Sequence, residues 1–184
     1  MREATDVIIR PERDEEAPAV RALVERSFGR PVVGELVDAL RSSWAWTEGL
    51  SFVGERMGEL VGHVLFTRSW LDAPPRLVEI LVLSPLCVAP EHREQGLGAR
   101  LVHTGLEALG GRPEPLVVLE GAPRYYARFG FRPGRELGLR RPSTRIPPDA
   151  FQAVALPSHE PWMTGTVVYA EPFWALDCVG LRAG

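Results

Sequence analysis

The chain contains no lysine, so all 21 of its basic residues are arginines, and it contains no asparagine either. A P-loop needs a lysine after its last glycine to reach the phosphates, so the absence of lysine excludes a P-loop nucleotide-binding protein. Lysine and asparagine share A-rich codons. We therefore interpret their joint absence as the codon bias of a GC-rich bacterial genome.

Cysteine and long apolar runs are also scarce. Cys87 and Cys178 lack the spacing of a metal site or of a disulfide framework, so we expect reduced thiols, no bound metal and a cytoplasmic protein. No apolar run approaches the roughly 20 residues that span a bilayer, and residues 1–13 lack the apolar centre of a signal peptide, so we expect no membrane partner. The net charge of −3 disfavours a dedicated nucleic-acid-binding protein.

Length and hydrophobic content predict one compact domain over residues 1–184. The order of elements predicts an α/β sandwich with a mixed sheet, in which the last two strands form an antiparallel pair. The expected helices cover residues 15–28, 33–41 and 95–109. The expected strands cover residues 6–10, 51–55, 60–69, 77–88, 115–120, 151–156 and 164–170.

The segment from Leu86 to Leu101 carries the strongest functional signal. An apolar strand runs into a proline turn, a glycine loop and then a helix. The first amides of a helix have no intrahelical partner, and the helix dipole adds positive charge there, so such a junction binds phosphate or pyrophosphate. Gly96 and Gly98 keep side chains away from the anion.

Two phosphate-binding patterns compete for this loop. The dinucleotide pattern Gly-x-Gly-x-x-Gly fits Gly96 and Gly98 but meets Leu101 at its third position, while Glu120 supplies an acidic residue further along the chain. The alternative, Val-x-Pro-x-x-Arg-x-x-Gly-x-Gly, is matched completely from Val88 to Gly98. The first pattern would indicate a nicotinamide oxidoreductase.

The second pattern resembles the pyrophosphate-binding motif of the GCN5-related N-acetyltransferase (GNAT) superfamily. In residues 125–131, Tyr126 lies four residues before the pair Gly130-Phe131, counted to Gly130. This spacing resembles the acetyltransferase signature that places a tyrosine beside the thioester. Four further segments resemble the YhbS-like branch of the superfamily, at residues 35–41, 61–66, 84–88 and 165–169. The resemblance covers about residues 5–175.

The resemblance implies a mixed, mostly antiparallel, twisted sheet of about seven strands flanked by helices. It implies that the strands at residues 77–88 and 115–120 splay apart, and that acetyl-CoA binds as co-substrate without a metal. The implied coenzyme A contacts are Leu86, Cys87, Val88, Arg93, Glu94, Gln95, Gly96, Leu97, Gly98, Ala99 and Tyr126.

The resemblance also implies direct attack by a primary amine of a small-molecule acceptor in a ternary complex. A backbone N–H near Cys87 or Val88 would stabilise the oxyanion, and Tyr126 would donate a hydrogen bond or a proton to the departing sulfur. For the general base we consider Glu79 and His63, with Ser84 and Cys87 acting through water as further alternatives. Glu79 could equally be a solvated strand end, and His63 a hydrogen-bonded residue at the edge of the core.

Four questions stay open at this point. A non-catalytic acyl-CoA-binding regulator on the same fold is an alternative to the enzyme, and a homodimer is not excluded. The acceptor is not identified. Seven arginines lie between Arg124 and Arg145, with Glu136 as the only acid. They could hold the 3′-phosphate of coenzyme A, an acidic acceptor or RNA, or form a solvated face paired with the acidic residues 12–16.

Overall fold

A mixed sheet forms the centre of the fold in the computed structural model, which describes residues 7–181. Its strands are β1 (Ile8–Pro11), β2 (Ser51–Arg56), β3 (Glu59–Asp72), β4 (Leu77–Val88), β5 (Leu116–Glu120), β6 (Arg132–Pro133), β7 (Leu139–Arg140), β8 (Phe151–Ala155) and β9 (Gly165–Val168). The α-helices are α1 (Ala17–Phe28), α2 (Pro31–Arg41), α3 (Leu97–Ala108), α4 (Pro123–Tyr126) and α5 (Glu171–Ala175).

The strand order along the sheet is β1-β2-β3-β4-β5-β8-β6, and β9 pairs with both β3 and β7. Among the strands within residues 7–181, only the β4–β5 and β7–β9 ladders are parallel. The mixed, mostly antiparallel sheet is therefore confirmed. The structure adds two strands of two residues each, β6 and β7, to the seven that periodicity predicts.

The prediction that the last two long strands pair with each other is wrong. β8 pairs with β5, where Leu119 opposes Gln152, and β9 pairs with β3, where Trp70 opposes Val168. The reason lies in the free edges of the sheet. β3 extends beyond β2 and leaves residues 70–72 for β9, while β5 has an open edge on the side away from β4.

Glycines on two adjacent strands allow α3 to pack closely against the sheet. A Cβ at Gly62 would lie 2.8 Å from Leu101 Cδ1, and a Cβ at Gly54 would lie 3.3 Å from Leu97 Cδ1. Leu97, Leu101 and Val102 form the buried stripe of the helix, as their spacing predicts. This packing fixes the N-terminus of α3 beside the end of β4.

β4 and β5 separate soon after they meet. Within the described residues their ladder consists of two pairs, Leu81 with Val117 and Val82 with Val118. On the other side of β4, the register with β3 shifts by one residue between Leu83 and Leu86, around a cis Ser84–Pro85 peptide. The cleft between β4 and β5 therefore opens directly after the paired residues.

Candidate functional site

The loop between β4 and α3 has the geometry of an anion-binding site. After Val88 a single 3-10 turn, Pro90–His92, leads to Gly96, which precedes α3 with a φ of 80° in the left-handed region. In the described part of the chain, no side chain caps the first turn of this 12-residue helix. Its first amides are consequently available to a ligand.

Two further residues shape the loop. Arg93 donates from Nε to the carbonyl of Val88 (3.2 Å) and from Nη2 to the carbonyl of Ser27 (2.5 Å), so it ties the loop to the end of α1. A Cβ at Gly98 would lie 2.7 Å from the hydroxyl oxygen of Tyr125. Glycine is required there for the approach of Tyr125 as well as for the exposure of the backbone.

A cavity of about 340 Å³ lies against this loop. It is lined by eight of the loop and helix residues, from Val88 to Ala99, and by Tyr125 and Arg128. The Arg128 guanidinium lies 4.2 Å from the centre of the Tyr125 ring, which fixes a positive charge at the cavity wall. The cavity therefore combines backbone donors, a helix N-terminus and a cation, the features that bind a pyrophosphate.

A second cavity, of about 260 Å³, lies where β4 and β5 have separated. Its lining comes from residues 83–86 of β4, from the end of β5 and α4, from the α1–α2 junction and from the C-terminal segment. Outside β4 the lining residues are Glu120, Tyr126, Phe28, Arg30, Val33, Leu36, Asp177, Cys178 and Gly180. Ser84 is among the lining residues. Glu120 and Tyr126 thus share one cavity beside the strand that leads to the glycine loop, and we call it the cleft cavity below.

Tyr126 is held by close aromatic packing. Its ring makes edge contacts with Tyr125, at 4.9 Å between centroids, and with Phe131, at 5.8 Å. A Cβ at Gly121 would lie only 2.4 Å from Tyr126 Cε2, so the ring position requires glycine at residue 121. Burial raises the pKa of Tyr126 to about 12. The phenol is therefore a neutral hydrogen-bond donor at ordinary pH.

Glu120 is a site residue that the sequence reasoning considered only as part of a dinucleotide pattern. Burial raises the pKa of its carboxyl, while the backbone N–H of Gly180, which donates to Oε2 at 3.0 Å, lowers that pKa again. The buried phenol of Tyr169 lies close to the same carboxylate without a well-formed hydrogen bond, and Arg145 adds a positive charge nearby. In the sequence, a carboxylate at the end of a strand and directly before a glycine could have indicated Glu120 as a site residue.

His63, considered as a base from sequence, lies inside the protein. Its side chain is fully buried, with Nε2 2.9 Å from the hydroxyl of Ser51 and 3.8 Å from the carboxylate of Glu12. Burial lowers the pKa of His63, so the ring is neutral. The structure does not bring His63 together with Tyr126 at the cleft cavity.

Glu79 lies at the opposite end of β4 from the glycine loop. It is nine residues before Val88, which at about 3.3 Å per residue places it roughly 30 Å from the loop. Its carboxylate lies 3.4 Å from Nε of Arg68. Of the residues considered as bases from sequence, only Ser84 lines the cleft cavity. Cys87 is 5% exposed, and burial raises the pKa of its thiol to about 11, so the thiol stays protonated.

The arginine-rich segment 124–145 does not form one face. Arg128 lies at the loop cavity, Arg145 pairs with Asp177 near the cleft cavity, and Arg135 pairs with Asp149 beside a separate cavity of about 390 Å³.

The suggested pairing of this segment with the acidic residues 12–16 is wrong. Glu12 bonds to Arg41, and Glu16 bonds to Arg10, so both acids are already neutralised near the N-terminal strand.

Residues 7–181 contain neither a membrane-spanning helix nor a cluster of metal-ligating side chains. No helix there has the length and apolar content to cross a membrane. No group of three or more His, Cys, Asp or Glu side chains in this part of the chain is arranged to hold a metal ion.

Comparison with known proteins identifies the family. Residues 8–134, more than half of the chain, match the acetyltransferase (GNAT) domain family. The chain is 34% identical over 170 residues to the uncharacterized N-acetyltransferase YhbS of Escherichia coli K12, covering 91% of this chain and 98% of that protein. It is also 34% identical to the uncharacterized N-acetyltransferase YjhQ of the same organism, over 64% of this chain and 65% of that one.

Solved structures agree with the sequence matches. The crystal structure of E. coli YhbS in complex with CoA superimposes with a TM-score of 0.82 at 31% identity, covering 94% of both chains. A GNAT family acetyltransferase from Brucella melitensis in complex with acetyl-CoA gives a TM-score of 0.73 at 30% identity, covering 91% of this chain and 98% of that one. The chain therefore belongs to the GNAT family and is an acetyl-CoA-dependent N-acetyltransferase.

Proposed function

We propose that the protein transfers the acetyl group of acetyl-CoA directly to the primary amine of a small-molecule acceptor within a ternary complex. The observation that carries this proposal is the position of Glu120 and Tyr126 on one cavity, beside the opening between β4 and β5. One residue can receive a proton and the other can donate a hydrogen bond, as amide formation from a thioester requires.

In this proposal the pyrophosphate of acetyl-CoA lies on the amides of the loop from Arg93 to Ala99, including those of Glu94, Gln95, Gly96, Leu97 and Gly98. Arg128 provides a nearby positive charge. The pantetheine arm runs along Leu86, Cys87 and Val88 in the manner of an added strand, because β5 no longer pairs with β4 there. This path leads the thioester from the loop cavity to Tyr126.

The chemical step forms one N–C bond and breaks one C–S bond. The amine nitrogen attacks the thioester carbonyl, and a backbone N–H near Cys87 or Val88 stabilises the oxyanion. An alkyl ammonium has a pKa near 10 and no lone pair, so it must first lose one proton to solvent and attack as the neutral amine. The nitrogen becomes strongly acidic once it bonds to the carbonyl carbon. Glu120 can then take its proton. The raised pKa of Glu120 suits this task, because a more basic carboxylate holds the proton better.

Tyr126 would act on the leaving group as a hydrogen-bond donor. Its pKa of about 12 lies well above the value of about 8.5 for a thiol, so complete proton transfer to the thiolate would be unfavourable. A hydrogen bond to a charged partner contributes about 1.5–3 kcal/mol, which corresponds to roughly 10- to 100-fold in rate. Coenzyme A then leaves as thiolate and takes its proton from solvent.

Three variants test these roles with the best acceptor from a panel of primary amines and amino acids. Glu120→Gln should lower kcat about 100-fold or more and remove the rise of kcat with pH that the base produces. Tyr126→Phe should lower kcat about 10- to 100-fold with little change in the KM for acetyl-CoA. Glu79→Gln is the matched control, because this carboxylate lies at the far end of β4, and it should turn over like the wild type. Wild-type turnover by Glu120→Gln together with loss in Glu79→Gln would reverse the assignment of the base.

A further inference from the structure

The charges around the cleft cavity are balanced. The carboxylates of Glu120 and Asp177 and the guanidinium of Arg30 line it. Asp177 pairs with Arg145 at 3.1 Å, and Arg145 also acts on Glu120. A polycationic acceptor would gain little from such surroundings, because Arg145 already offsets the charge of Asp177 and Arg30 would repel a further ammonium group. The cavity favours an acceptor with no large net charge.

Arg30 supplies a cation that the protein itself leaves available. It is the residue directly before α2, in an extended conformation with a φ of −137°. Within residues 7–181 its guanidinium has no hydrogen-bond or ion-pair partner. The positive charge of Arg30 lowers the pKa of the Cys178 thiol, and the negative charge of Glu120 raises it. The guanidinium and the carboxylate therefore both lie near Cys178, in the same part of the cavity. A planar guanidinium binds a carboxylate through two parallel hydrogen bonds.

The wall beside Arg30 is apolar. Phe28 precedes it, and Val33 and Leu36 follow it on α2, and all three line the cleft cavity. Phe28 is 43% exposed, which is unusual for a phenylalanine unless a ligand or a partner covers it. At about 260 Å³, the cavity is at the small end of ligand sites. These features fit a small molecule with an apolar side chain.

We propose that the acceptor is a free amino acid with an apolar side chain. This inference rests on the proposed function. The α-amine would face Glu120 and the thioester, the α-carboxylate would bind Arg30, and the side chain would lie against Phe28. The amine would form an amide with the acetyl carbon as the C–S bond breaks, its proton would pass to Glu120 and then to solvent, and the products would be the N-acetyl amino acid and coenzyme A.

The test compares L-leucine with two analogues that lack the carboxylate, L-leucinamide and 3-methylbutylamine, and with the polycation spermidine. Acetylation is followed by thiol release and by mass spectrometry. Leucine should exceed both analogues in kcat/KM by about 10- to 100-fold, the range expected for a hydrogen-bonded charge pair. Spermidine should be the poorest acceptor.

Arginine variants then assign the preference to a residue. Arg30→Gln should reduce kcat/KM for leucine to the level of leucinamide and leave the value for 3-methylbutylamine unchanged. The control Arg56→Gln, at the β2–β3 turn, should change neither value. Equal losses for all acceptors in Arg30→Gln would indicate a structural role and overturn the inference.

The outcomes separate this inference from the function on which it rests. Acetylation of 3-methylbutylamine or spermidine at least as fast as leucine would overturn the amino acid assignment and leave the acetyl transfer to amines intact. No acetylation of any of the four compounds, by a protein that binds acetyl-CoA, would count against both.

Discussion

Replacing Gly121 by alanine tests whether the position of the Tyr126 ring matters for the reaction. The added Cβ would lie 2.4 Å from Tyr126 Cε2 and 2.9 Å from Cδ2. An ordinary contact needs at least 3.4 Å, so the ring must move by about 1 Å. Gly121 does not need a left-handed conformation, so the new contact is the main cause of any effect.

A displacement of this size can cost up to about 100-fold in rate when it moves a catalytic group. We therefore expect Gly121→Ala to lower kcat by about 10- to 100-fold, and not beyond the loss in Tyr126→Phe. The KM for acetyl-CoA should change little, because the loop cavity is built from other residues. Gly110→Ala, in the turn after α3, is the matched control and should retain wild-type kcat.

A double-mutant cycle makes the reasoning refutable. In the Tyr126→Phe background the hydroxyl is already gone, so Gly121→Ala should cause almost no further loss of kcat. Thiol release with a saturating amine acceptor measures all four proteins, and circular dichroism verifies that each is folded. A full additional loss in the double variant would refute the claim that Gly121 acts through the Tyr126 hydroxyl, as would a single variant with wild-type kcat.

Three further predictions concern the loop, the thiols and the acid stability. Arg93→Ala removes the link between the glycine loop and α1 and should weaken coenzyme A binding about tenfold by calorimetry; unchanged affinity would contradict the role of this link. Iodoacetamide at pH 8 should modify Cys178 before Cys87, whose pKa of about 11 keeps it protonated; mass spectrometry would expose the reverse order. Hydrogen bonds from Arg10 lower the pKa of Glu16 from 4.5 to about 2, so the stability that this pair contributes is present above pH 4.5 and lost as the pH falls towards 2. Glu16→Gln should lower the free energy of unfolding, measured with urea, by about 1–2 kcal/mol at pH 7 and by much less at pH 2.5. An equal decrease at both pH values would contradict the pairing.

The sequence predicts the loop side of the site well, because its signals are local. The turn after Val88, the glycines and the apolar stripe of α3 lie within a short stretch of chain, and each follows from backbone chemistry. The pairing of the strands, in contrast, does not follow from local signals. Alternation shows that residues 151–156 and 164–170 are extended, but the free edges of β5 and β3, which decide their partners, are set by the whole sheet.

The acceptor side of the site depends on contacts between distant segments. The environment of Glu120 comes from Tyr169, Gly180 and Arg145, which lie 25 to 60 residues further along the chain. Spacing within the sequence does not reveal such surroundings. It also does not reveal the burial of His63. The distance of Glu79 from the loop, in contrast, follows from its position nine residues before Val88 on one strand.

The crystal structure of this protein with coenzyme A and L-leucine would test the central claim most directly. The account predicts the pyrophosphate on the amides of residues 94–99, the sulfur within hydrogen-bond distance of the Tyr126 hydroxyl, and the leucine amine facing Glu120. A sulfur placed away from Tyr126, or an acceptor amine remote from Glu120, would contradict the account.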